Sequence, residues 1–179
     1  MRIISGKYKG KRIFAPKKLP VRPTTDMAKE ALFNILNNRR YFEAIDVLDL
    51  FSGTGNISFE FASRGTKSIT AVDINPGCIQ FINKISKELD FPIDTVKMYV
   101  FIFLDRTKLE YDIIFSDPPY HFNKEQFLKI PELVFKNNLL NKKDGVLIVE
   151  HSSQTLLDSH PNFVESRKYG STIFSFFES

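Results

Sequence analysis

The sequence predicts an α/β fold built on a mostly parallel sheet with helices on both faces. Three observations support this. Short β-prone runs alternate with segments of helical periodicity through the middle of the chain. Ile45–Leu50 is a compact apolar run broken by Asp46 and Asp49, and Ser68–Val72 and Tyr111–Ser116 read as further strands, so that repeated strand–helix units imply a mostly parallel sheet. The last segment changes period: 162–169 and 172–177 read as a hairpin around Gly170-Ser171, adding an antiparallel strand.

The remaining elements follow in chain order. Residues 2–5 and 11–15 are β-prone runs flanking Gly6-Lys7-Tyr8-Lys9-Gly10 and predict a hairpin. Pro16–Pro23 is a proline-rich, basic connector. Thr24, Thr25 or Asp26 caps a helix running to Asn37, with Ala28, Ala31, Leu32, Ile35 and Leu36 on its apolar face. Asn56–Arg64 is helical and stops at Gly65. Pro76 opens a helix to about Leu89. Thr95–Val100 is expected as a strand with an undefined stretch after it. Lys124–Asn138 is expected as a helix that Pro131 breaks or restarts, and Gly145–Glu150 as the fifth strand.

Composition narrows the function. Hydrophobic residues make up 42% of 179, enough for one cored domain, and the single cysteine, Cys78, rules out an intrachain disulfide. No apolar run reaches the roughly 20 residues that span a bilayer, and the N-terminus lacks a signal-peptide core. A cytoplasmic protein is expected. The net charge of +4 is uneven: residues 1–22 carry eight Lys and Arg and no acid, which leaves −4 on the remainder. That division sets a basic arm, 1–22, against a domain, 23–179. It points to a polyanionic partner.

In parallel sheets ligands bind beyond the carboxyl ends of the strands. The first strand ends in Asp49-Leu50-Phe51-Ser52-Gly53-Thr54-Gly55, whose glycines permit a tight turn and close approach to backbone N–H groups. This is neither the three-glycine dinucleotide fingerprint nor a phosphate loop with its lysine. Asp49 beside the turn suits a ligand bearing an ammonium group. Asp73 ends the second strand, where an acid can accept ribose hydroxyls or cap the next helix. Asp117-Pro118-Pro119-Tyr120 follows the fourth strand. Two prolines hold the backbone extended, so the Asp117 carboxylate and the Pro118 carbonyl form adjacent acceptors for a flat amino group, and Tyr120 offers a stacking face.

These residues resemble known motifs. Asp49–Gly55, Asp73 and Asp117–Tyr120 resemble motifs I, II and IV of class I S-adenosylmethionine (SAM)-dependent methyltransferases, the last in the form used by amino-methyltransferases. Arg2–Gly10, Arg22–Asp26, Lys29–Leu36 and Val47–Gly55 further resemble the RsmD family, which methylates N2 of a guanine in bacterial small-subunit (16S) ribosomal RNA. The resemblance implies a Rossmann-like class I methyltransferase fold, a mostly parallel seven-stranded sheet with an antiparallel C-terminal strand and an N-terminal hairpin. It implies SAM as co-substrate and no metal. The partner would be 16S rRNA, the small subunit or an assembly intermediate, met by a monomer.

By position, the resemblance gives Asp49, Phe51, Ser52, Gly53, Thr54 and Gly55 the methionine part of SAM, Asp73 the ribose, Ile74 the adenine face, and Arg22 and Thr24 the cofactor carboxylate. Asp117, Pro118, Pro119 and Tyr120 would hold the target base. Arg2, Lys7, Lys9, Lys11 and Arg12 would contact RNA. One position departs from the family: where many relatives carry an acid for the adenine amino group, this chain has Tyr99. That leaves backbone groups, Tyr99 or Asp105 for the task. The competing readings are a DNA adenine-N6 or cytosine-N4 methyltransferase, which shares the Asp-Pro-Pro-Tyr motif but needs a target-recognition domain, and a non-catalytic RNA-binding assembly factor on a degenerate SAM fold.

Overall fold

The structure, a computed structural model, describes residues 1–16, 19, 24–37 and 41–179. Seven strands form one sheet in the order β3-β2-β1-β4-β5-β7-β6. They are β1 (Asp46–Leu50), β2 (Ser68–Asp73), β3 (Ile93–Lys97), β4 (Ile113–Ser116), β5 (Val146–His151), β6 (Phe163–Tyr169) and β7 (Thr172–Glu178). The first five pair in parallel, and β7 runs antiparallel to both β5 and β6. Strand order therefore reverses between β1 and β4, and the crevice beyond their carboxyl ends is where an open α/β sheet takes a ligand.

Alternation along each strand divides the core in two. Val47, Ile69, Ile113, Phe115 and Ile148 face α1 (Asp26–Asn37), α2 (Asn56–Ser63) and α3 (Pro76–Leu89). Leu48, Leu50, Ile114, Leu147 and Val149 face α4 (Val100–Arg106) and α5 (Lys124–Lys136). Each buried side chain of this size contributes about 1.5–3 kcal/mol, so both faces must stay covered.

Three elements differ from the sequence reading. The third strand lies at Ile93–Lys97, and Val100 opens α4 instead of ending a strand. The β-branched and aromatic content of 99–104 looks strand-like, but Val100, Phe103 and Leu104 are buried at helical spacing. Pro131 does not interrupt α5. A capping box between Asn123 and Gln126 starts that helix, and Phe127, Ile130 and Val134 bury the face on which Pro131 sits, which together offset a proline cost of about 3 kcal/mol. Tyr111 makes only an isolated parallel bridge to Leu140 before β4 begins at Ile113.

The N-terminal hairpin is minimal. Arg2 and Arg12 form one antiparallel bridge, flanked by Ile3 N–H to Lys11 O (2.9 Å) and Ile13 N–H to Met1 O (3.0 Å). It is fixed to the body, with Ile3 and Ile13 2% and 3% exposed. Gly6 (φ +82°) lies so close to α2 that a Cβ would fall 1.8 Å from the Ser63 carbonyl oxygen, which explains the glycine. Glu60 of α2 accepts the Ile4 and Ser5 N–H groups at 2.8 and 3.0 Å. Lys29 falls on the buried face of α1, 1% exposed; its Nζ donates to Arg2 O (2.7 Å) and Asn56 Oδ1 (2.9 Å) and lies 3.7 Å from Glu60. Phe33, also absent from the expected face of α1, is fully buried, whereas Ala31 is half-buried.

Candidate active site and nucleic-acid interface

The strand ends converge on one cavity of about 880 Å³. Its first wall is the turn after β1. Phe51, Gly53 and Gly55 all have positive φ (57°, 53° and 77°), so the chain folds back sharply, with Ser52 N–H donating to Val72 O (3.1 Å) and Gly55 N–H to Ser52 O (2.8 Å). The Asp73 carboxylate braces the turn: Oδ2 accepts Gly53 N–H (2.8 Å) and Oδ1 accepts Asn75 N–H (2.7 Å). Asp49, 2% exposed, accepts hydrogen bonds from the Ser58 amide (3.1 Å) and the Ser58 hydroxyl. Burial outweighs those bonds and, with the nearby Asp73 charge, pushes the Asp49 carboxyl up to about 7. A buried acid held near neutrality is stabilised in its charged form by an arriving cation.

Ser52 supplies a second sign of a ligand. Its Oγ is buried and has no hydrogen-bond partner among the described residues, while Ser52 lines the cavity. Leaving a buried hydroxyl unmatched costs about 1–3 kcal/mol, so the site is polarised toward a group it does not itself contain. Ile74 and Tyr99, 58% and 47% exposed, also line the cavity.

The second wall is 117–120. Asp117 N–H donates to Leu50 O (3.3 Å), continuing the β4–β1 ladder, and Phe122 N–H donates to Pro119 O (3.0 Å), closing a turn that leaves Tyr120 exposed. Burial raises the Asp117 carboxyl well above the usual carboxylate range, and the charges of Glu150 and Asp49 raise it further. An aromatic cluster supports this wall: Phe122 packs edge-on to Phe51 (5.6 Å between centroids) and stacks with Phe101 (5.9 Å).

Of the residues singled out from sequence, Thr24, Asp49, Phe51, Ser52, Gly53, Thr54, Asp73, Ile74, Tyr99 and Asp117–Tyr120 line this cavity. Gly55 is not on its wall; its Cβ position points at Ile82 (2.9 Å), so it shapes the start of α2. Arg22 lies outside the described residues. Asp105 is exposed on α4 and does not line the cavity. Asn56, Asn75, Cys78 and Phe122 line the cavity without having been anticipated. The Asn75-Pro76 pair was a legible signal, since Asn75 caps α3 through Gly77 and Cys78. His121 lines the cavity, but His151 is engaged by Ser175 Oγ (2.7 Å) and Ser152 O (2.8 Å), and burial lowers its pKa.

The basic residues of the hairpin lie outward. Arg2 pairs with Asp26 (3.3 Å), Lys11 with Glu88 (3.5 Å), and Lys7 sits over the Tyr8 ring (5.2 Å). Lys9 and Arg12 are exposed. Pairs this exposed are worth about 0–1 kcal/mol and are readily exchanged for phosphates.

Residues 1–178 match the family model described as Conserved hypothetical protein 95. The chain is 34% identical to Ribosomal RNA small subunit methyltransferase D of Buchnera aphidicola subsp. Baizongia pistaciae over 164 residues, covering 90% of this chain and 82% of that one. It is 30% identical to "Uncharacterized methylase RP545" of Rickettsia prowazekii, covering 95% and 94%. Among solved structures, hypothetical protein TTHA0928 of Thermus thermophilus superposes over 100% of this chain and 99% of that one, with a TM-score of 0.85 at 24% identity, a likeness of fold.

Proposed function

The chain belongs to the Conserved hypothetical protein 95 (RsmD) family, and on that premise we propose that it transfers a methyl group from SAM to the N2 amino group of a guanine in 16S rRNA. The observation that carries this reading is the meeting, in one cavity, of the Asp49–Asp73 turn with the Asp117–Tyr120 acceptor pair.

The residues fit SAM. Asp49 would take the ammonium group, directly or through water, and Ser52 Oγ has an unmet hydrogen bond that the methionine part can fill. Asp73 retains further acceptor capacity for ribose hydroxyls, since each oxygen takes one backbone donor and a carboxylate has about four acceptor positions. Ile74 and Tyr99 would flank the adenine, and Thr24 the cofactor carboxylate. SAM supplies an electrophilic methyl on sulfonium. A guanine amino group is a poor nucleophile because its lone pair is delocalised into the ring. The Asp117 carboxylate and Pro118 carbonyl accept its two hydrogens, favour pyramidal nitrogen and aim the lone pair. Positioning of this kind is worth about 7–11 kcal/mol. Asp117 also stabilises the positive charge that develops on nitrogen as the methyl leaves sulfur, one amino proton departs to solvent after the transfer, and Tyr120 stacks on the unstacked base.

Lys7, Lys9, Lys11, Arg2 and Arg12 supply phosphate contacts to the RNA or the assembling subunit, and the protein acts in the cytoplasm as a monomer. Radiolabelled methyl from SAM should enter 16S rRNA taken from cells lacking this activity. Asp117→Ala should abolish incorporation while SAM binding by calorimetry stays near wild type. Normal turnover by that variant would remove Asp117 from the chemistry.

A further inference from the structure

One buried acid at this end of the sheet has no part in the scheme above. Glu150, 6% exposed, is the penultimate residue of β5. In the parallel register Ser116 lies opposite Val149, so the next pair beyond it is Asp117 and Glu150, side by side on adjacent strands and on one face of the sheet. Glu150 is held firmly there. Its Oε2 accepts the Thr24 hydroxyl at 2.8 Å, and Thr172 Oγ1 lies 3.5 Å from Oε1. Thr24 lines the cavity and is fixed in turn by Asn56 Nδ2, which donates to its carbonyl at 3.0 Å.

We propose that Glu150 is a positioning residue of this site, held by the strand-end register and the Thr24 hydrogen bond as a fixed like charge beside the Asp117 carboxylate. The inference rests on the role given to Asp117 above. The acids facing Asp117 are Glu150 from β5 and Asp49 from β1, with Asp73 of β2 next to Asp49. Glu150 itself meets the neutral hydroxyls of Thr24 and Thr172, and its neighbour His151 engages Ser175. Burial raises the Glu150 carboxyl and both hydroxyls oppose that rise. A like charge next to Asp117 adds to the rise that burial imposes on that carboxyl. Hydrogen bonds from an arriving amino group favour the charged form and oppose that rise.

The test is carboxyl-carbon NMR of the full-length protein labelled at aspartate, with the Asp117 signal assigned by Asp117→Asn. In Glu150→Gln, which keeps the shape and an acceptor for Thr24, the Asp117 titration midpoint should fall by about one pH unit, the scale of a neighbouring like charge. The acidic limb of methyl transfer against pH should move the same way. Glu150→Asp, which retains the charge, should restore most of the wild-type midpoint and covers the case in which the glutamine variant does not fold. A midpoint unchanged in folded Glu150→Gln, or one that Glu150→Asp fails to restore, overturns the inference. Normal turnover by Asp117→Asn overturns the reading beneath it, whatever the titration shows.

Discussion

Glu60→Gln is the most informative stability perturbation, because one buried carboxylate joins the hairpin to the body. Glu60 is fully buried and accepts from Ile4 N–H, Ser5 N–H and Arg64 Nε, with Lys29 Nζ at 3.7 Å. Glutamine keeps the volume but replaces one acceptor oxygen by a donor, so at least one of those three donors loses its partner, at about 1–3 kcal/mol. It also removes the counter-ion of Lys29, and breaking a buried pair costs about 3–5 kcal/mol. The two costs do not add fully. Burial already holds the Lys29 ammonium below its ordinary range, with Glu60 opposing that shift. Without Glu60, Lys29 can shed its proton, and the two hydrogens left match its two other acceptors, Arg2 O and Asn56 Oδ1. The expected loss is about 4 kcal/mol, a large share of the roughly 5–15 kcal/mol available to a domain. Urea unfolding at pH 7 measures it as a lower midpoint with an unchanged slope. Adding Lys29→Met should deepen the loss, since Arg2 O and Asn56 Oδ1 then lose their donor as well. A loss below about 1 kcal/mol would refute the claim that this pair holds the hairpin in place.

Three further outcomes follow from the site. Ser52→Ala should weaken SAM binding by about fivefold, the net worth of about one hydrogen bond, as measured by calorimetry; unchanged affinity would mean that Ser52 Oγ stays unmatched in the complex. Asp49 is raised to about 7, so the free protein holds a proton there below that pH and must release it to meet an ammonium; SAM affinity should therefore strengthen as pH rises from 5.5 to 7.5, and Asp49→Asn should flatten the dependence. Replacing Lys7, Lys9 and Arg12 together by Ala should reduce the slope of log affinity against log salt by about 0.7 per lost phosphate contact on single-stranded RNA, and an unaltered slope would take the hairpin out of the interface.

The strand ends were legible because each rests on local chemistry. Asp49 with Gly53, Asp73, and Asp117 with two prolines each announce a turn that a buried strand must make, and the parallel topology then brings them together. Lys29 was not legible. Periodicity marks a lysine as solvent-facing, and only the chain fold shows that Glu60, Asn56 and a hairpin carbonyl converge on it. For the same reason the basic segment, read as an arm by charge alone, is partly core: Ile3 and Ile13 tie it to α1 and α2. Helix α4 escaped notice because seven residues rich in Phe and Ile carry too few turns to establish a period. Glu150 was visible as a strand-end acid, but its partnership with Thr24, distant by 126 residues, is a product of topology.

The central claim is that this cavity methylates the amino group of a guanine. Undermethylated 16S rRNA or small subunits, treated with the protein and SAM and then digested to nucleosides, should yield N2-methylguanosine by mass spectrometry, at one site and only with wild-type protein. Methyl incorporation at adenine N6 or cytosine N4, or none into any RNA by a protein that binds SAM, would contradict it.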